Sequence, residues 1–218
     1  MADLLDAAGR VAAVPLALLA RASGGRPMHP RGVVLTARLV RTGLLRPSGA
    51  GWLDGTGTDD VLVRLSRGAG LPPRLPDLLG FALRAPGETP VDLLLSSAGR
   101  HRWTRRVPVL RRDPATTYGS IMGYRSPAGP VLLSVTPVSA GVFSLGATVG
   151  RSPEQPFARV VLGPQAGPPD PPLHLDAVLH APPGLVADGP VARFRRPAYA
   201  ATRAALGAPL DAVRPGNP

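Results

Sequence analysis

Apolar residues in this chain come in short runs that alternate with polar ones and are cut repeatedly by Pro and Gly. The stretch from Val61 to Arg84, VLVRLSRGAGLPPRLPDLLGFALR, shows the pattern at its clearest. Val61-Leu62-Val63-Arg64-Leu65-Ser66 follows the two-residue strand period, so Leu62, Arg64 and Ser66 share one face and Val61, Val63 and Leu65 the other. An Arg and a Ser on a strand face are costly to bury without partners. That face is therefore expected to look into a polar or ligand-filled cavity, or else to lie at a solvent-facing edge. Gly68-Ala69-Gly70 and Pro72-Pro73 break the strand, and the run from Pro76 to Arg84 begins a second one.

The same grammar recurs along the chain. Strands are predicted over 33–40, over 91–95 ending in Ser96-Ser97, and over 131–135, 142–149, 157–162 and 173–179, each bounded by turn residues. Repeated short strands joined by turns predict an antiparallel sheet of about eight strands that closes on itself and so leaves no exposed edge. Helical spacing predicts a leading amphipathic helix over 2–22, kinked at Pro15, which packs against the body or at a homodimer contact. Asp113-Pro114 is a good N-cap and N1 pair for an inserted helix near 113–124, and residues 189–207 read as a C-terminal helix capped by Gly207. The expectation is a single α+β domain over 1–218, its closed antiparallel barrel spanning 26–180. With 26 Gly and 28 Pro the chain is rich in breakers, but a hydrophobic content of 44% and regular apolar runs assign the excess to turns rather than to disorder.

Composition narrows function mostly by exclusion. The chain has no Cys, which removes disulfides, thiolate metal sites and Cys nucleophiles. Its start lacks a basic leader, and no apolar run reaches the length of a membrane span, so the expected location is the cytoplasm with no membrane partner. The Gly-rich loop over 43–60 has G-x-G spacings but neither a P-loop Lys nor a helical pattern after it. A net charge of +11, carried by Arg without a single Lys, suits an anionic cofactor, an anionic surface or nucleic acid. Nucleic acid is the least favoured of these, because aromatic residues are only 4% and no stacking platform is visible. His174 and His180 fit no established metal-ligand spacing and read as surface or loop residues.

Several blocks, in order, resemble the haem catalases. That family carries R-x-x-H-x-K-G at the entry to its first barrel strand, and Arg26, His29, Arg31 and Gly32 stand at those spacings, with Arg in place of Lys. Arg64-Leu65-Ser66 is similar to its R-F-S strand, and Asp77-Leu78-Leu79-Gly80-Phe81-Ala82 to its D-x-x-G-F-A. Asp92 to Ser97 stands where catalases have D-L-V-G-N-N, with Ser96 in place of the first Asn, and Arg112-Asp113-Pro114 matches R-D-P. Near the end, Arg195 and Tyr199 keep the R-x-x-x-Y spacing, and Thr202 keeps the Thr that follows, while Ala201 replaces an Asp.

The resemblance implies a minimal catalase-like fold that binds haem b through iron. Tyr199 would be the proximal iron ligand and His29 the distal base, with Ser66 orienting the imidazole and Ser96 in the place of the Asn that assists the peroxide reaction. Arg26 and Arg64 would pair with the propionates, Tyr118 would lie near the macrocycle or else be a core aromatic on its helix, and Arg195 and Arg203 would favour the phenolate by opposite charge. Ser is shorter than Asn and would reach a bound peroxide less well. The implied activity is therefore a peroxidase-type oxidation, using hydrogen peroxide and a small organic reductant or substrate, rather than fast dismutation. The alternatives are a haem carrier without turnover, a haem-free protein of the same fold, and an Arg-rich nucleic-acid-binding module.

Overall fold

A computed structural model of the chain describes residues 31–68, 70–99, 104–105, 107–120, 122–168, 173 and 175–189. The predicted leading and C-terminal helices fall outside them. In chain order the elements are β1 (Arg31–Thr42), a one-turn helix α1 (Gly51–Asp54), β2 (Thr56–Arg67), β3 (Leu79–Ala85), β4 (Val91–Ser97), β5 (Tyr118–Gly119), β6 (Gly123–Ser126), β7 (Gly129–Ser139), β8 (Val142–Val149), β9 (Gln155–Gln165) and β10 (Val186–Asp188). Eight of the strands form a ring in the order β1-β2-β3-β4-β5-β7-β8-β9, with β9 returning to β1 and every pairing antiparallel. The closed eight-stranded barrel expected from the sequence is present. Beside it, β6 pairs with the start of β7, and β10 adds to β6.

Closure sends alternate residues inward. Val61 and Val63 of β2, Phe81 and Leu83 of β3, Leu93 and Leu95 of β4, and Leu133 and Val135 of β7 all belong to one buried cluster, in which the rings of Phe81, Tyr118 and Phe143 touch. The barrel end near α1 is filled by Trp52 and Leu53. Trp52 meets Phe157 edge-on with ring centroids 5.6 Å apart and lies under the Arg41 guanidinium. The α1 turn is held by Asp54, whose carboxylate accepts hydrogen bonds from the Ser48 and Gly49 amides and from the Ser48 hydroxyl.

Four sequence expectations change. The loop over 43–60 contains α1 and the first residues of β2, because the ladder from β1 continues to Thr42 opposite Thr56, beyond the apolar run. The helix near 113–124 is replaced by turns and strands. Asp113 Oδ1 accepts the Ala115 amide in a local turn, and Tyr118 and Gly119 are drawn into the ladder between β4 and β7. The described residues of 173–179 are in no strand, and the last strand among the described residues is β10. His180, expected to be a surface or loop residue, does lie in a turn but is buried, at 6% exposed.

His180 belongs to a buried polar cluster that clips the segment after β9 to the barrel wall. Asp92 of β4 is fully buried and accepts two hydrogen bonds from Arg84 of β3, at 2.7 and 2.6 Å. His180 Nδ1 lies 2.9 Å from Asp92 Oδ2, and the Asp176 amide donates to the same oxygen at 2.8 Å. The Asp92 amide in turn donates to the His180 carbonyl. A buried carboxylate survives only with such compensation, and removing one partner leaves charge stranded. Asp92→Ala is therefore expected to destabilise the fold by about 3 kcal/mol in denaturant unfolding, with His180→Ala costing less because Arg84 still pairs with Asp92. Equal stability of the Asp92 variant and the parent would show that the cluster contributes nothing net.

Candidate functional site

Arg64 and Ser66 of β2 lie on the outside of the barrel. Because Val61 and Val63 point into the core, Leu62, Arg64 and Ser66 point out. Leu62 packs there with Val34 and Leu173 in a second, smaller apolar cluster, and Arg64 and Ser66 are 6% and 8% exposed. The register carries this face across the neighbouring strands. Gly32 lies opposite Ser66, Ser66 opposite Gly80, Gly80 opposite Ser96, Ser96 opposite Gly119, Gly119 opposite Ser134 and Ser134 opposite Gly146. Seven strands thus contribute a row in which Gly and Ser alternate.

A row of Gly and Ser makes a flat strip on a surface that is otherwise studded with side chains. Part of the strip is already occupied. A Cβ at Gly119 would meet the Arg105 carbonyl oxygen, and one at Gly146 would meet the Glu154 carboxylate, which pairs with Arg105 and accepts a hydrogen bond from Ser134. At the β1 end, a Cβ at Gly32 would come within 2.8 Å of both the Arg64 guanidinium and the Leu65 carbonyl oxygen, so Arg64 lies flat across Gly32. Between these ends, Ser66 and Ser96 are two strands apart, about 10 Å at ordinary strand spacing, with only Gly80 between them.

The structure therefore brings Arg64, Ser66 and Ser96 onto one face. It does not bring Tyr118 there. Tyr118 opposes Ser97, the residue of opposite facing, and is fully buried in the barrel core, where its ring packs on Phe81 and its hydroxyl donates to the Pro114 carbonyl at 2.7 Å. The pleat turns the Tyr118 ring inward, so it is a core aromatic, on a strand rather than on the expected helix. Arg26, His29, Tyr199, Arg195 and Arg203 lie outside the described residues, as does His174. Among the described residues no cluster of His, Cys, Asp or Glu could hold a metal ion, and no helix is long and apolar enough to cross a membrane.

Sequence reasoning missed the Arg84, Asp92, Asp176 and His180 cluster. The signal for part of it was there, since Arg84 and Asp92 are unlike charges at facing positions of the β3–β4 hairpin, set in otherwise apolar runs.

The barrel has known counterparts. A fungal catalase shares the fold, with a TM-score of 0.59 over 84% of this chain at 12% sequence identity. The chain spans 60% of the length of that catalase chain. No protein-family model and no curated protein matches the sequence. The fold is thus catalase-like.

Burial, and secondarily the Asp113 carboxylate, push the Tyr118 phenol well above its ordinary value near 10. The unfolded chain then loses this proton before the native one does, so Tyr118 stabilises the fold fully below about pH 10 and progressively less as pH rises past it. Tyr118→Phe is expected to flatten the fall in stability above pH 10, measured by denaturant unfolding across pH. An unchanged alkaline slope would place the phenol in contact with water.

Proposed function

We propose that this protein is a haem-binding oxidoreductase of the catalase type that uses peroxide to oxidise a small organic substrate. The observation that carries the reading is the coincidence of fold and face. On a catalase-like barrel, Arg64, Ser66 and Ser96, three residues picked out by motif spacing, share one outward face, with Gly80 between the two serines.

The residues present fit a flat anionic macrocycle. Gly80 puts no side chain between Ser66 and Ser96, and Arg64, lying across Gly32, would offer its guanidinium to a propionate. Tyr199 would hold the iron, with Arg195 and Arg203 one helical turn to either side favouring its ionised form. Arg26 would pair with the second propionate. Bound haem would supply the two-electron redox chemistry that no side chain of this protein can supply.

The protein's own residues would handle the proton. Neutral His29 is suited to take a proton from peroxide and return it to the departing oxygen near neutral pH, and the Ser66 hydroxyl would fix the imidazole by hydrogen bonding to its other nitrogen. Ser96 offers one short hydroxyl where catalases offer an Asn amide, so it would hold peroxide weakly. This favours slow oxidation of an organic substrate over dismutation.

The decisive measurement is the absorption spectrum of the protein after haem supplementation. A Soret band that shifts in Tyr199→Phe, with peroxide consumption lost in His29→Ala, is the expected result. A protein that takes up no haem would sink this reading and the haem-carrier reading together, whereas tight, salt-sensitive nucleic-acid binding by the haem-free protein would favour an Arg-rich binding module. Haem uptake with equal peroxide consumption in His29→Ala and the parent would leave a carrier. In the haem-loaded protein, Ser96→Asn is expected to raise peroxide consumption on the order of ten-fold, the worth of one well-made hydrogen bond to the reactant. A rate that stays level or falls would remove Ser96 from the site.

A further inference from the structure

A cavity of about 700 Å³ opens beside the segment that links β4 to β5. Among the described residues its lining mixes polar groups, Arg111, Arg112, Asp113 and Thr116, with apolar ones, Pro76, Leu110 and Ala115. Arg111 is set firmly in place, because its amide and carbonyl form a two-bond bridge with Asp77, at 2.8 and 2.9 Å. Asp77 is 2% exposed and its carboxylate accepts the Leu71 and Leu78 amides. The Arg111 backbone is thus part of the frame.

Its side chain is not fully satisfied. Among the described residues the buried Arg111 Nε has no hydrogen-bond partner, and neither does the hydroxyl of Thr117, next to the lining residue Thr116. A buried guanidinium N–H without an acceptor is expensive, which makes it a natural place for an anion to supply one. The charge agrees: among the described residues two Arg line the cavity against one Asp, and one Asp113 oxygen is already engaged by the Ala115 amide. The apolar side agrees as well. Leu110 is 64% exposed, so a hydrocarbon group laid on it would remove apolar surface from water.

We propose that this cavity binds a small amphipathic carboxylate, with the carboxylate against Arg111 and Arg112 and the hydrocarbon part on Leu110 and Pro76. Planar bidentate pairing suits a guanidinium and a carboxylate. The site is distinct from the Gly and Ser strip and does not depend on haem being bound.

The test is calorimetric titration of the full chain with hexanoate, and separately with hexanol and with inorganic phosphate. Saturable hexanoate binding is expected, weakened about ten-fold or more in Arg111→Gln, as for loss of a charge-assisted hydrogen bond. It should be unchanged in Arg151→Gln, which alters an exposed Arg in the β8–β9 turn. Hexanol should not bind, and phosphate should bind more weakly than hexanoate. Any of four results overturns the proposal: no saturable hexanoate binding by folded protein, hexanol binding as well as hexanoate, phosphate binding at least as tightly, or equal weakening in Arg151→Gln. Should Arg111→Gln fail to fold, Arg112→Gln and amide-resonance mapping of the parent decide. Hexanoate-induced shifts at Ala115 and Thr116 support the site, and shifts confined to other residues overturn it.

Discussion

The pairing of β8 with β7 on one side and with β9 on the other is what turns a meander of strands into a ring, and most of the molecule follows from it. Once β9 also meets β1, no barrel strand is left as an open edge, and the sheet acquires an inside and an outside. The inside must then be filled from every strand at alternate positions, which is what the cluster running from Leu39 through Phe81 and Leu133 to Val160 does. The outside is released from that duty. It can carry polar residues at positions where an ordinary two-layer protein would need apolar ones.

That freedom is used twice. Around one level of the barrel, seven strands place Gly or Ser on the outer face, which keeps the surface level and lets other groups approach the backbone closely. The Arg105 carbonyl over Gly119 and the Arg64 guanidinium over Gly32 are two such approaches. Four residues further along the same strands, Arg84 and Asp92 face outward and, with His180 and Asp176, fasten the chain after β9 to the wall. The first arrangement depends on missing side chains, the second on fully compensated charges.

How much of this could be read beforehand differs by element. Strand β8 was legible to the residue and the core of β1 nearly so, because each is an unbroken run with turn residues at both ends. The strands β5, β6 and β10 were not, since two to four residues are too few to establish a period and their pairing is imposed by neighbours. Asp113-Pro114 misled for a definite reason. The same carboxylate that caps a helix also closes a local turn, and the choice lay with the ladder that captured Tyr118 and Gly119. Tyr118, expected on that helix, stands instead in a strand whose pleat turns its ring into the core.

Local order determined the strand content, the absence of any thiol chemistry and the pairing of Arg64 with Ser66 on one face, because these depend only on residue identity and the two-residue period. Tertiary structure alone decided that this face is the outer one, that Ser96 shares it across Gly80, that His180 is buried against Asp92, and that Arg111 lines a cavity. Each of those depends on register between strands distant in sequence, and register is set by the summed fit of a whole ladder rather than by any residue in it.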